Sequence, residues 1–229
     1  GIHEYMELME MINAEPFIAV NTGLGTVEEV AEEIEYCNGG ADTEMGKLRA
    51  ANGHPEPYGV KWWAVGNEMY GDWQLGHMHL SEYVKKHNKM AEAIREVDPE
   101  AGLIAVGHVG EWSATMLGSS SDHMDLLSEH IYATGSEDPA EHIGLVSGLI
   151  KGVAEAHRKY RDSIPGLAQK DIRIAMDEWN YWNGDYIYGE LGVRYYHQDA
   201  LGIAKGLHEY FRNSDLFFMA NYAQTVNVI

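Results

Sequence analysis

Trp62-Trp63-Ala64-Val65-Gly66-Asn67-Glu68 is an apolar run that ends in a carboxylate. About 110 residues later the pattern returns in Ile172-Arg173-Ile174-Ala175-Met176-Asp177-Glu178-Trp179-Asn180. Near-continuous apolar runs of this length read as strands buried on both faces. A carboxylate at the C-terminal tip of such a strand is costly to desolvate unless it has a function there. Two of them, on strands of one parallel barrel, could face each other across a pocket, and paired carboxylates are the usual apparatus for breaking a glycosidic bond.

Working outward from these strands, helix and strand patterns alternate along the whole chain. Ile2, Tyr5, Met6, Met9 and Ile12 share one helical face, and Pro16 starts a short strand, Phe17-Ile18-Ala19-Val20-Asn21. Thr26-Val27-Glu28-Glu29 is a capping-box pattern, with Val27, Val30, Ala31 and Ile34 striping the helix behind it. Residues 38–59 lose periodicity, are rich in Gly, Asn and Pro, and read as an excursion loop within a single domain spanning 1–229. After Glu68 come a helix over about 81–97, a strand at Leu103-Ile104-Ala105-Val106, and a strand within Met124–Tyr132. A helix over about 139–160 precedes the strand ending at Glu178; a helix over about 192–213 and the strand Leu216–Asn221 complete the series.

Six strands with helices between most of them imply a parallel sheet covered by helices. A doubly wound sheet and a (β/α) barrel both satisfy that pattern. The barrel is favoured by where polar residues fall: Asn21, Glu68, His130, Tyr132, Glu178 and Gln224 lie at or just past C-terminal strand ends, the rim where such barrels build their sites. No Gly-x-Gly-x-x-Gly fingerprint follows a strand, which disfavours a dinucleotide fold. Six strands cannot close an eight-stranded barrel, so the expectation is a partial (β/α)8 barrel whose first two strands precede Gly1. The absence of Met at Gly1 and the end at Asn227-Val228-Ile229, just past a strand, fit a piece of a longer protein.

Composition narrows the partners. A formal net charge of −20 argues against nucleic acid and against an anionic membrane surface. No apolar run approaches the ~18 residues of a membrane-spanning helix. The one cysteine, Cys37, excludes an internal disulfide framework and favours a cytoplasmic over a secreted location.

Each candidate site residue has a bland reading beside its chemical one. A lone Asn-Glu at a strand end caps a helix or forms a rim salt bridge about as often as it catalyses. Two together, flanked by polar and aromatic residues, favour catalysis. In a retaining hydrolase one carboxylate attacks the anomeric carbon and the other protonates the leaving oxygen, ~5–5.5 Å away. Asn67 could donate to a sugar hydroxyl. His130 and Tyr132 alternate on one strand and point to the same side, so Tyr132 could orient the nucleophile. Of the aromatics after the two glutamates, Trp182 is singled out as a sugar platform, and Tyr70, Trp73, Trp179 and Tyr181 are read as packing. His77-x-His79 has no Cys partner and no assignable third ligand, so no metal site is expected.

Lys47-Leu48-Arg49-Ala50-Ala51-Asn52-Gly53-His54-Pro55-Glu56-Pro57-Tyr58-Gly59-Val60-Lys61, running into Trp62–Glu68, resembles the acid/base region of glycoside hydrolase family 51, the α-L-arabinofuranosidases. Ser128-Glu129-His130-Ile131-Tyr132, Asp177-Glu178-Trp179-Asn180 and Met219-Ala220-Asn221-Tyr222-Ala223-Gln224-Thr225-Val226-Asn227-Val228-Ile229 resemble three further blocks of that family, in its order. The resemblance implies a retaining mechanism with Glu68 as general acid/base and Glu178 as nucleophile. Asn67, His130, Tyr132 and Gln224 match substrate-pocket positions, and Trp182 a subsite aromatic. It further implies no cofactor, an arabinose-containing oligo- or polysaccharide as substrate, and a homo-oligomer in the full-length protein. The family's β-sandwich domain, and the first two barrel strands with their pocket Glu and Asn, have no counterpart in this sequence. A related β-glycanase or xylosidase, or a non-catalytic carbohydrate-binding fragment, stands as the alternative.

Overall fold

A computed structural model describes residues 1–182 and 193–224. The helix expected over about 192–213 runs from His197 to Arg212, and the Thr225–Ile229 end of the last family-like block lies outside the described residues. The elements run α1 (Ile2–Ile12), β1 (Phe17–Ala19), α2 (Val27–Asn38), α3 (Glu44–Ala51), β2 (Trp62–Val65), α4 (Leu80–Val97), β3 (Gly102–Ala105), α5 (Glu111–Ser119), β4 (Leu126–Ala133), α6 (Pro139–Ser163), β5 (Arg173–Tyr181), α7 (His197–Arg212) and β6 (Phe217–Tyr222). The chain forms two compact units: Gly1–Val106 with Ser119–Leu126, and Gly107–Gly118 with Leu127–Ile229.

In the first unit β1, β2 and β3 pair in parallel, with Phe17 opposite Trp62 and Trp62 opposite Gly102. Thr26 caps α2 as its sequence requires: its Oγ1 accepts from the Glu29 N–H at 3.1 Å, and Glu29 Oε2 accepts from the Thr26 N–H at 2.8 Å. The stripe on α2 buries Val30, Ile34 and Cys37 against Trp63 and Val65 of β2 and Met90, Ala91 and Ile94 of α4. Burial pushes the Cys37 thiol up to about 12, which makes it a core residue and not a reactive one. The stretch 38–59, expected as a loop, holds the two-turn helix α3. Its anchor is Arg49, which is fully buried and donates to the carbonyls of Tyr36, Cys37, His54 and Pro55. A guanidinium satisfied by backbone oxygens organises a segment that carries almost no apolar periodicity.

The Tyr83 hydroxyl ties two strand tips together, donating to the Val65 carbonyl at 2.8 Å and accepting from the Val106 N–H at 2.8 Å. Beside it His87 is fully buried, its Nε2 donating to the His123 carbonyl at 3.2 Å. Burial holds this imidazole down to about 4, from an ordinary value of 6.5. The unfolded ring takes up its proton as pH falls through 6.5, whereas the folded ring resists until about 4. Stability is therefore lost over that window, by roughly 3 kcal/mol at its lower end. Urea unfolding at pH 6.5 and 4.5 should show this loss, and His87→Gln should lose less between the two pH values. An equal loss in both proteins would show that other groups carry the dependence.

In the second unit β4, β5 and β6 lie side by side in that order, and β5 and β6 are parallel. Val146, Ile150 and Val153 of α6 pack on Ile174, Met176 and Trp179 of β5 and on Tyr210 of α7. Buried polar groups stitch helices to strands. Glu129 Oε1 accepts from Ser113 Oγ of α5 at 2.6 Å and lies 2.8 Å from His157 Nε2 of α6. His142 Nε2 lies 2.6 Å from Asp199 Oδ1, and its ring stacks on Tyr181 at 4.4 Å. Helix α5 was not expected; Glu111–Ser119 has a weak apolar stripe, and the Ser113–Glu129 bond holds what amphipathicity does not. Among the described residues no helix is long and apolar enough to cross a membrane.

Candidate active site

In the first unit the site begins where β2 ends. Gly66 adopts φ 100°, in the region that favours glycine, and a Cβ there would press within 2.9 Å of Met69 Cγ and 3.1 Å of Thr22 Cβ. The chain then turns through Asn67 and places Glu68 at φ 46°, a left-handed conformation that a glutamate rarely takes. Non-glycine residues held there cluster at functional sites. The Glu68 carbonyl accepts from the Gly71 N–H at 2.7 Å, closing the turn. Its side chain is half-buried, and Oε2 accepts from Trp73 Nε1 at 2.6 Å and from Gln74 Nε2 at 3.2 Å. Asn67 is likewise half-buried, next to Glu68 in the turn.

Trp73 was expected to be packing. It is 66% exposed and stands with its N–H on the carboxylate and its edge toward Tyr70. Trp179 and Tyr181, also read as packing, are indeed core residues. His77 and His79 are both exposed, and His77 Nδ1 lies 3.1 Å from the Gln74 carbonyl within the same loop. A cavity of about 690 Å³ in this unit is lined by His3, His54 and Tyr58 and by Pro16 and Gly59, which precede β1 and β2. Glu68 follows β2, so that cavity is at the wrong end of the strands for this chemistry.

In the second unit β4 and β5 bring four of the expected residues together. Tyr132 Oη donates to Glu178 Oε2 at 2.8 Å. His130 Nδ1 lies 3.7 Å from the same oxygen, and its Nε2 lies 3.1 Å from Asp177 Oδ1. Ser128 Oγ donates to that Asp177 oxygen at 2.6 Å. Trp182 meets Tyr132 edge to face, with ring centroids 5.2 Å apart. Ser128, His130 and Tyr132 share a face because they alternate along β4. Asp177 and Glu178 are consecutive, and strict alternation would send them to opposite faces. The β5–β6 register shifts between Met176 and Trp179, and this irregularity lets both carboxylates reach one imidazole. Gln224 is half-buried, two residues past β6. Its turn is tied to β5 by the Asn180 side chain, which donates to the Ala223 carbonyl at 2.5 Å.

Asp177, Ser128, Trp73 and Gln74 were not singled out from sequence. For Ser128 the period-2 spacing from His130 was an available signal. For Asp177 the only signal was adjacency to Glu178, which the pleat argues against.

Parallel strands interleaved with helices, with hydrogen-bonded carboxylates toward their C-terminal ends, define the class: a glycosidase-type (β/α)8 barrel, of which the described residues carry six strands. Residues 1–144 match the alpha-L-arabinofuranosidase 1 domain, and residues 177–229 match the alpha-L-arabinofuranosidase C-terminal domain. The chain belongs to the α-L-arabinofuranosidases of glycoside hydrolase family 51. It is 34% identical over 254 residues to a probable alpha-L-arabinofuranosidase C of Aspergillus fumigatus, covering 100% of this chain and 49% of that protein. The crystal structure of the Thermotoga maritima alpha-L-arabinofuranosidase, an arabinose complex, superposes with a TM-score of 0.92 at 37% identity, over 99% of this chain and 47% of that one. The family 51 enzyme of Thermotoga petrophila RKU-1 gives 0.91 at 37% identity, over 98% and 46%. The chain thus spans about half the length of the curated relatives it matches.

Proposed function

We propose that the protein containing this chain is a retaining, exo-acting α-L-arabinofuranosidase. Glu178 is its nucleophile and Glu68 its general acid/base. The observation that carries this reading is the grip on Glu178: a phenol donating to Oε2 at 2.8 Å, with an imidazole beside it that is itself backed by Asp177. A carboxylate held by a phenol donor, with an imidazole on the same face of the neighbouring strand, is oriented for attack and not merely capping a helix.

In the first half-reaction a Glu178 oxygen bonds to the anomeric carbon as the glycosidic C–O bond breaks, and Glu68 passes its proton to the leaving oxygen. In the second half Glu68 takes a proton from water, whose oxygen attacks the anomeric carbon and releases Glu178. Arabinose leaves with its configuration retained. Asn67, His130, Tyr132 and Gln224 bind or orient the sugar, and Trp182 offers a ring face to it. The substrate is an arabinose-containing oligo- or polysaccharide, of the arabinoxylan or arabinan kind. Assembly of the full-length protein into a homo-oligomer belongs to the same reading and is open to sedimentation analysis.

A panel of 4-nitrophenyl glycosides assayed with the full-length protein tests the assignment. Turnover of the α-L-arabinofuranoside should dominate. Strong turnover of a β-xyloside or of a glucan without it would replace this reading by that of a related β-glycosidase.

A further inference from the structure

The loop after β2 folds back onto the carboxylate that precedes it. The Gly71 N–H donates to the Glu68 carbonyl at 2.7 Å, the Gln74 N–H to the Gly71 carbonyl at 3.0 Å, and the Met78 N–H to the Met69 carbonyl at 3.0 Å. This wrap delivers two side-chain donors to a single oxygen: Trp73 Nε1 at 2.6 Å and Gln74 Nε2 at 3.2 Å, both on Glu68 Oε2. An indole N–H only donates, and so does an amide NH2. The amide orientation is fixed by the same logic, because the Gln74 oxygen in that place would oppose a carboxylate. Burial does not force the arrangement, since Trp73 is 66% exposed and its N–H could have been left to water. Gly71 permits it: a Cβ there would lie 2.4 Å from Cε2 and 2.5 Å from Cζ2 of the Trp73 ring.

We propose that Trp73 and Gln74 are positioning residues that decide which oxygen of Glu68 carries the catalytic proton. Oε2 is committed as an acceptor to two N–H groups. A proton placed on it would set an O–H against both donors and weaken two hydrogen bonds that a carbonyl-type Oε2 keeps. The proton therefore resides on Oε1. In the first half-reaction the Oε1–H bond breaks and the proton passes to the leaving oxygen, which keeps the electron pair of the broken C–O bond while Glu178 bonds to the anomeric carbon. In the second half Oε1 recovers a proton from the attacking water. This inference rests on the reading of Glu68 as acid/base.

The test uses the full-length protein and two aryl α-L-arabinofuranosides, one with a weakly acidic phenol that needs protonation and one with a strongly acidic phenol that departs without it. The double variant Trp73→Phe/Gln74→Met keeps a ring and a side chain of similar length but removes both donors. Its loss of kcat/KM should be at least about ten-fold greater on the first substrate than on the second. Gly71→Ala, which displaces the indole while leaving both donor groups in the sequence, should skew the loss in the same direction. Equal losses on both substrates, or none, would overturn the proposal, because damage that is only structural does not distinguish leaving groups. Glu68→Ala run in parallel separates the two levels. If it is steeply leaving-group dependent and the loop variants are not, only the positioning role fails. If Glu68→Ala is itself flat, the acid/base assignment fails and the proposal with it.

Discussion

Replacing Glu178 with alanine in the full-length protein should lower kcat by on the order of 10⁴- to 10⁶-fold, the scale of nucleophile loss in hydrolases. The expectation follows from the two-step route. Without a carboxylate at this point of β5 no glycosyl-enzyme ester can form, and the sugar must be displaced by water directly. The groups that orient Glu178 cannot substitute for it. Tyr132 donates at 2.8 Å and is a poor nucleophile as a neutral phenol, and His130 is held against Asp177 at 3.1 Å. The Glu178 side chain is 31% exposed, so truncation leaves the core of Trp179, Met176 and Ile150 in place, and the variant should unfold near the wild-type temperature. Steady-state assay on an activated arabinofuranoside, beside a thermal melt, checks both statements. Near-normal turnover by a folded variant would remove Glu178 from the nucleophile's role.

Glu68→Ala should show a different defect. General acid catalysis is typically worth 10²- to 10⁴-fold, so natural glycosides should suffer a loss of that size while activated aryl glycosides form the covalent intermediate more readily. The intermediate then accumulates, because no base deprotonates the incoming water. Azide needs no base. It should restore turnover on the activated substrate and give a glycosyl azide of retained configuration, since Glu178 still performs the first displacement. An azide of inverted configuration would mean that no covalent intermediate intervened, and double displacement would fall.

The parts of this architecture that were legible in the sequence are those set by short-range rules. The Thr26–Glu29 capping box, the stripe on α2 and the stripe Tyr83, His87, Met90, Ala91 and Ile94 on α4 obey helical periodicity, and they form and bury accordingly. The two strand-end glutamates were visible because an apolar run makes any terminal charge conspicuous. What escaped notice depends on long-range polar satisfaction. Helix α3 is organised by Arg49 reaching the carbonyls of Tyr36, Cys37, His54 and Pro55, a role that no local pattern announces. Trp73 looked like packing because most tryptophans are core, and only the backward fold of residues 69–78 brings its N–H to Glu68. No local pattern marks Asp177: consecutive strand residues point to opposite faces, and the register irregularity in β5 is what brings it and Glu178 to one imidazole.

The left-handed backbone of Glu68 has a consequence for how this chain can change. At φ 46° an L-residue with a Cβ is disfavoured by roughly 1–2 kcal/mol relative to its ordinary conformations, whereas glycine is at ease there. Position 68 therefore ranks its occupants in opposite orders for two selections. Screening for thermal tolerance alone would drift toward glycine or asparagine, and would yield hardier proteins that cannot transfer a proton. Screening for turnover holds the glutamate against that gradient. A library built to toughen this barrel should accordingly keep residue 68 fixed and seek its gains at positions where folding and chemistry do not compete.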